Sequence, residues 1–337
     1  KTYLVAVGAN ALGANTTGDY NTAVGSISQF SNSVGQGNTS LGYASLYCNT
    51  SGSSNIAIGV DALQCNTVGS YNVAVGRGAV RCNTSANHNT GVGYQALRNI
   101  ETGGFNIAVG TCALYTNTAG SSNVAIGVNA LKVNIASNLT AVGRNALCAN
   151  TTGTDNTAFG FGAGSNTTTG NANTAIGAYA LCSNTTGFTN TALGESALCS
   201  LTTGACNVAI GTNALRNSNN NFNVAIGSSA LALATSGNTN TAIGRAAGAN
   251  VTTGNKNTFV GACAGGAIST GCSNTVIGTA LGSGFENENN NIIISDGDGN
   301  IRMFATGSTG DVGIGTTSPT SPLHVKGTNT SYTTSAF

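Results

Sequence analysis

The chain has 337 residues, of which 6% are charged and 40% hydrophobic, and its formal net charge is +1. Typical soluble domains carry about 25% charged residues, so there is no electrostatic field here to capture nucleic acid or an anionic membrane. The hydrophobic share is placed periodically, which argues against disorder, and no run approaches the ~18 apolar residues of a spanning helix. No nucleic-acid partner and no membrane insertion are expected of this segment.

No signal peptide is visible, and a start at Lys1 rather than Met reads as a fragment or processed product. From Gly8 an aliphatic-glycine step recurs at Gly25, Gly42, Gly59, Gly76, Gly93, Gly110 and Gly127, and continues from Gly143 to Gly278. It makes 17 copies, and only two of the 16 intervals are 16 residues rather than 17. So short a period describes one coil of a solenoid stacked on near-identical neighbours, not a string of domains.

Within a coil, such as Asn173 to Gly187, the residue before the glycine is Val, Ile, Leu or Phe. Two before it is mostly Ala (Ala23, Ala57, Ala74), three before is β-branched, and four before is Asn (Asn21, Asn55, Asn72). This is a short strand with period-two alternation, ended by a residue that tolerates unusual backbone angles. Ala-Leu follows three and four residues after the glycine, and an Asn-Thr-Thr-Gly turn closes the coil. Two glycines per coil and many β-branched residues exclude a helix. The aliphatic and Leu columns are expected inside. The Ala column is expected on the opposite face, where small side chains let another sheet approach as a lengthwise subunit interface.

Cys48, Cys65 and Cys82 form one column at 17-residue spacing, and Cys148, Cys182 and Cys199 another. Adjacent rungs come within the ~4.4–6.8 Å Cα reach of a disulfide, but ladder side chains point the same way. Stacked free thiols acting as small apolar fillers are expected, and without a Cys-x-x-Cys pair no zinc site is. The Asn-x-Ser/Thr sequons at Asn15, Asn49, Asn150 and Asn184 read as turn chemistry rather than glycan acceptors. Thr-Thr ranks such as Thr16-Thr17 and Thr151-Thr152 suggest an ice-binding face, but Val34, Ile135, Ala136 and Asn219 break them. His88 and His324 have no marked nucleophile, and Asp61, Asp155, Glu195 and Glu286 share no coil position as a glycosidase pair would need.

Residues 283–315 lose the period and read as a β-hairpin neck, with two strands around Asp296–Asn300. Asp296, Asp298 and Asn300 have calcium-loop spacing. The later Glu is missing, so a hairpin turn is expected. Residues 316–337 hold both prolines, Pro319 and Pro322, and read as an extended tail.

The motif Asn-Thr-Ala-Ile-Gly-x-x-Ala-Leu resembles the short repeats in head domains of trimeric autotransporter adhesins, and still more the repetitive fibre proteins of tailed bacteriophages. The string Gly310-Asp311-Val312-Gly313-Ile314-Gly315-Thr316-Thr317-Ser318-Pro319, then Leu323-His324-Val325, resembles the segment preceding an endosialidase-type intramolecular chaperone. The resemblance implies a homotrimer of β-rolls whose chaperone has been cut off, with Phe337 as the processing end and the chaperone's catalytic residues beyond it.

The expected fold is all-β: a parallel β-solenoid or β-roll of about 17-residue coils over 1–282, a β-hairpin neck over 283–315 and a tail over 316–337. The expected function is a structural fibre on a phage or phage-like particle, attaching to a host surface glycan or receptor and contacting other virion or fibre proteins. Its place is the virion surface or the extracellular space. No enzyme activity, cofactor or metal is expected. The turn aromatics Tyr20, Tyr71, Phe105, Phe188 and Phe222 are the receptor-binding candidates. The alternatives are a cellular trimeric adhesin or extracellular filament protein and a glycan-degrading tailspike.

Overall fold

The sequence period becomes backbone geometry at the glycine. In the computed structural model, which describes residues 3–327, Gly59 has φ +126°. A Cβ placed on it would lie 2.7 Å from the carbonyl carbon and oxygen of Gly76 in the next coil. The backbone angle and the close approach each favour glycine. The structure is all-β, with no helix among the described residues, and falls into two compact units divided between Thr186 and Gly187.

The first unit is a parallel β-solenoid whose eleven described strands, each three residues long, run from Val5–Val7 to Thr174–Ile176. Each strand pairs in parallel with its counterpart one coil on, as in Val73↔Thr90, Ala74↔Gly91 and Val75↔Val92. A 16-residue coil keeps this register, Val124 pairing with Thr140 and Ala125 with Ala141. The residue is lost at a corner instead. Asn117 Nδ2 donates to the carbonyl of Gly120, three residues on, at 2.8 Å, whereas Asn134 Nδ2 reaches Ala136, two residues on, at 2.8 Å.

The centre of each strand faces inward. Ala57 is fully buried, while its neighbours Ile56 and Ile58 are 39% and 36% exposed. This corrects the expectation that the aliphatic column lies inside and the Ala column outside. The coil is narrow, and its opposite wall already supplies Ala62-Leu63 and Ala96-Leu97, all fully buried. The two walls touch: a Cβ on Gly91, which takes the inward Ala position, would come within 2.6 Å of Val80 Cγ2. With a Leu projecting from one wall, a methyl is the side chain that fits from the other at native packing density.

Two buried asparagine columns complete the interior. Asn49 Nδ2 donates to Asn32 Oδ1 in the preceding coil at 2.7 Å and to the carbonyl of Gly52 at 2.9 Å. Asn55 gives and receives in the second column: its N–H donates to Asn38 Oδ1 at 2.9 Å and its Nδ2 to the carbonyl of Gly69 at 2.8 Å, while its Oδ1 accepts the Asn72 N–H at 3.0 Å. These bonds satisfy corner carbonyls that would otherwise be buried without donors. Asn15, Asn49, Asn150 and Asn184 are buried, so the sequons present no amide to solvent in the folded coil. One polar cluster departs from the pattern. Ser40 replaces the inward Ala, and Gln29, at the Leu position, donates to Ser40 Oγ and to the Thr22 carbonyl, each at 2.9 Å. Gln29 Oε1 is buried without a partner.

The second unit begins with six strands of the same kind, Thr191–Leu193 to Thr275–Ile277. Parallel stacking then runs past residue 282, because Ile292–Ser295 pairs with Thr275–Ile277 in the coil register, Thr275↔Ile292. Asn291 maintains the inner ladder, its N–H donating to Asn274 Oδ1 at 2.9 Å. The chain next reverses into the antiparallel strand Ile301–Ala305, with a register shift at Ile294/Ser295, and again into Val312–Ile314. Leu323–Val325, within the expected tail, adds in parallel to Val312–Ile314. Phe259 takes an inward Ala position and is fully buried. Gly248 and Gly265 stand at the two Leu positions beside it, and a Cβ on Gly248 would lie 2.6 Å from Phe259 Cδ2.

Candidate functional site

Five residues before each glycine the backbone turns left-handed, with φ of 60°, 58° and 61° at Tyr71, His88 and Phe105. The amide of each is tied to the preceding coil: Tyr71 N–H donates to the Ser53 carbonyl, His88 to Ser70 and Phe105 to Asn87, at 3.1, 3.2 and 3.2 Å. One coil step therefore sets the ring spacing. Tyr71 and His88 stack at 5.0 Å with 5° between planes, and His88 and Phe105 at 4.9 Å with 8°. Tyr20 stacks separately on Tyr3, at 5.1 Å and 9°.

All five aromatic candidates are exposed. Tyr71 and Phe105 are brought into one stack by His88, which the sequence reading considered only as a triad member. Counting five residues back from Gly93 would have put His88 in the column. Tyr20 lies three coils from Tyr71, with Gly37 and Ser54 between them in the column. Phe222 holds the same position in the second unit and Phe188 stands one residue earlier in its coil. Beside His88 and Phe105 is a shallow hollow of about 340 Å³, whose walls include Ser85, Asn87, Thr102 and Ser121. Asn87 Oδ1 accepts the Ser70 N–H at 2.7 Å, and Ser121 Oγ accepts that of Gly104 at 3.2 Å.

Two larger hollows, of about 590 and 540 Å³, flank the C-terminal hairpin of the second unit. The first carries Arg245, Cys263 and Asp298, and the second Phe285 and Glu288. Asp296 heads the hairpin turn. Its carboxyl is held down at about 2 by the Asn300 side chain, then by the Arg302 guanidinium and the N–H groups of Asn300 and Asp298. Those contacts make Asp296 the clasp of the turn. Among the described residues no group of three or more His, Cys, Asp or Glu is placed to hold a metal ion.

The outer face of the sheet carries an apolar column, the residue before each glycine, beside a column of Thr, Val and Ile. Val5, Val7, Leu41, Ile58, Val109 and Phe159 all present exposed side chains on the first unit. The Thr column after the corner spends its hydroxyls on the next coil, Thr50 Oγ1 donating to the Thr67 carbonyl at 3.0 Å and Thr67 to Thr84 at 2.8 Å. This is structural use of a rank that suggested a water-ordering surface.

Cys48, Cys65 and Cys82 are free, half-buried thiols. Burial pushes the Cys48 thiol up. Cys82 moves the other way, to about 6, chiefly through a hydrogen bond with Cys65, whose own thiol is pushed up, and secondarily through Arg98 and Arg81. The thiolate is the nucleophile, so alkylation by iodoacetamide should occur first at Cys82. Its rate should rise through pH 6 and level off above about pH 7, well below the ordinary thiol range near 8.5. Peptide mapping after timed labelling reads this, and a rate still climbing at pH 8.5 would contradict it.

Among the described residues no helix is long and apolar enough to cross a membrane. Phe337, the expected processing end, lies outside the described residues. No protein-family model and no curated protein matches the chain.

Proposed function

We propose that the chain is a structural fibre segment that assembles as a homotrimer and attaches a phage or phage-like particle to a host-surface glycan. The observation that carries this reading is the outward apolar face of the coils. Aliphatic side chains recur there strand after strand, and a contiguous exposed patch beyond a few hundred Å² marks an interaction surface in soluble proteins. Columns of like residues repeat with the coil, so an identical chain offers a matching surface in register. Three such faces turned towards one axis shield each other from water. The few charges leave little repulsion to oppose close association. The exposed turn aromatics then remain on the outside, where repeated coils and three chains multiply weak contacts.

Sedimentation equilibrium should give three chains per particle at micromolar concentration, and the labelled protein should adhere to some of a panel of bacterial envelopes. Ile58→Asp with Val75→Asp and Val109→Asp should shift the mass towards one chain and lower adherence at least tenfold. A single-chain mass for the unmodified protein would overturn the assembly, and a trimer that adheres to no envelope in the panel would overturn the attachment.

A further inference from the structure

The position five residues before the glycine does not need an aromatic. Its left-handed backbone is occupied by Gly37, Ser54, Ser122, Asn138, Asp155 and Ala172 in other coils of the first unit. Glycine, asparagine and aspartate take that conformation more cheaply than a bulky side chain does. Yet Tyr71, His88 and Phe105 succeed one another there, exposed and unburied by any other part of the described chain. The stack stops abruptly, at Ser54 on one side and Ser122 on the other. Its interior faces cover each other, so the outer faces of Tyr71 and Phe105 are the ones open to a ligand. The Phe105 end also has a hollow beside it.

That hollow sets the ligand's chemistry. Its polar lining is Ser85, Asn87, His88, Thr102 and Ser121, and no Lys, Arg, Asp or Glu lines it. Asn87 engages its Oδ1 with the backbone and leaves its Nδ2 hydrogens for a ligand. An aromatic face stacks nucleic-acid bases as readily as sugars, but a base arrives with phosphates that demand Lys or Arg along the groove. Sialylated and sulfated glycans need cations as well. A neutral sugar needs what is present: one flat apolar face for its C–H groups, and hydroxyls and an amide for its own hydroxyls. We infer that the uncovered face of Phe105, with the adjoining hollow, is a binding site for neutral pyranose oligosaccharides. The inference rests on the attachment reading and names the class of receptor it recognises.

The probe is an array of neutral hexose and N-acetylhexosamine oligosaccharides, with sialylated and sulfated glycans and single-stranded DNA alongside. Affinities of the hits are measured by calorimetry. The unmodified fibre should bind neutral members. Phe105→Ala should weaken binding at least tenfold and Phe105→Tyr should retain it. Ser122→Phe should also weaken it at least tenfold, because it extends the stack and covers the open face while adding an aromatic. Matching circular dichroism spectra ensure that the variants keep the coil. Capture of anionic glycans or DNA alone, or neutral binding unaffected by both Phe105→Ala and Ser122→Phe, overturns the site. Adherence to envelopes without neutral-sugar binding also overturns it but leaves attachment standing. Phe105-dependent sugar binding without envelope adherence leaves the site standing and removes the attachment reading.

Discussion

Phe259→Ala is expected to cost the second unit about 4 kcal/mol, the middle of the usual range for a large core aromatic cut to a methyl. The loss is large because the two wall positions flanking the ring have nothing to move into the gap. Gly248 and Gly265, at the adjoining Leu positions, have no side chains to bring forward, and the ring is fully buried between them. The arrangement is an exchange of volume between two columns. Elsewhere the strand gives a methyl and the opposite wall a Leu, as at Ala225 and Leu231. Here the strand gives a ring and the wall gives nothing. Restoring the common pattern with Gly248→Leu and Gly265→Leu should recover at least half of the loss in the Phe259→Ala background. Their backbone angles, φ +58° and +61°, are close to the +49° of Leu231. The same two leucines should destabilise the unmodified protein, since they would collide with the ring. A urea-denaturation cycle measures the coupling, and additive effects would show that the columns do not interlock.

Gly59→Ala is expected to cost about 3 kcal/mol or more, because it combines a glycine-only backbone region with a methyl pressed against the peptide of the next coil. The contact at 2.7 Å is between the added methyl and the backbone of Gly76, so no side chain can swing away. Contacts in a solenoid reach only the adjacent coils, and the damage should be local. Hydrogen exchange should accelerate around Gly42, Gly59 and Gly76 and remain unchanged several coils away. Ser54→Ala, an exposed change in the same coil, should stay within about 0.5 kcal/mol. Uniform loss of protection across the first unit would indicate all-or-none unfolding instead.

The recurring glycine made the coil length, the strand positions and the parallel stacking legible from sequence. It did not reveal which side of the strand faces inward. A β-branched residue, often Thr, and a larger aliphatic or Phe side chain flank the inward Ala of most strands, and hydrophobicity alone favours burying the larger column. The interior width decides otherwise, and width is a property of the closed coil, with Leu63 or Leu97 already filling it. The asparagines were legible as turn formers, and Asn49 does bond Gly52 locally. Their second bonds, such as Asn49 to Asn32, exist only once coils are stacked. Asn291 could have signalled that stacking continues to Ser295, but the missing glycine masked it. Of the candidate site, the exposure of Tyr71 and Phe105 followed from their turn positions. The part played by His88 did not, because its ring matters as a spacer between the other two rather than for its ionisable nitrogens.

The short coil of the first unit, one of the two 16-residue intervals, has a practical consequence. Between Asn134 and Ala136 the chain loses a residue while the strands on either side stay in register. That corner is therefore the natural port for grafting: a peptide epitope or affinity tag inserted after the equivalent Thr50 or Thr67 would be displayed outward, its ends returning to the same ladder without shifting any neighbouring rung.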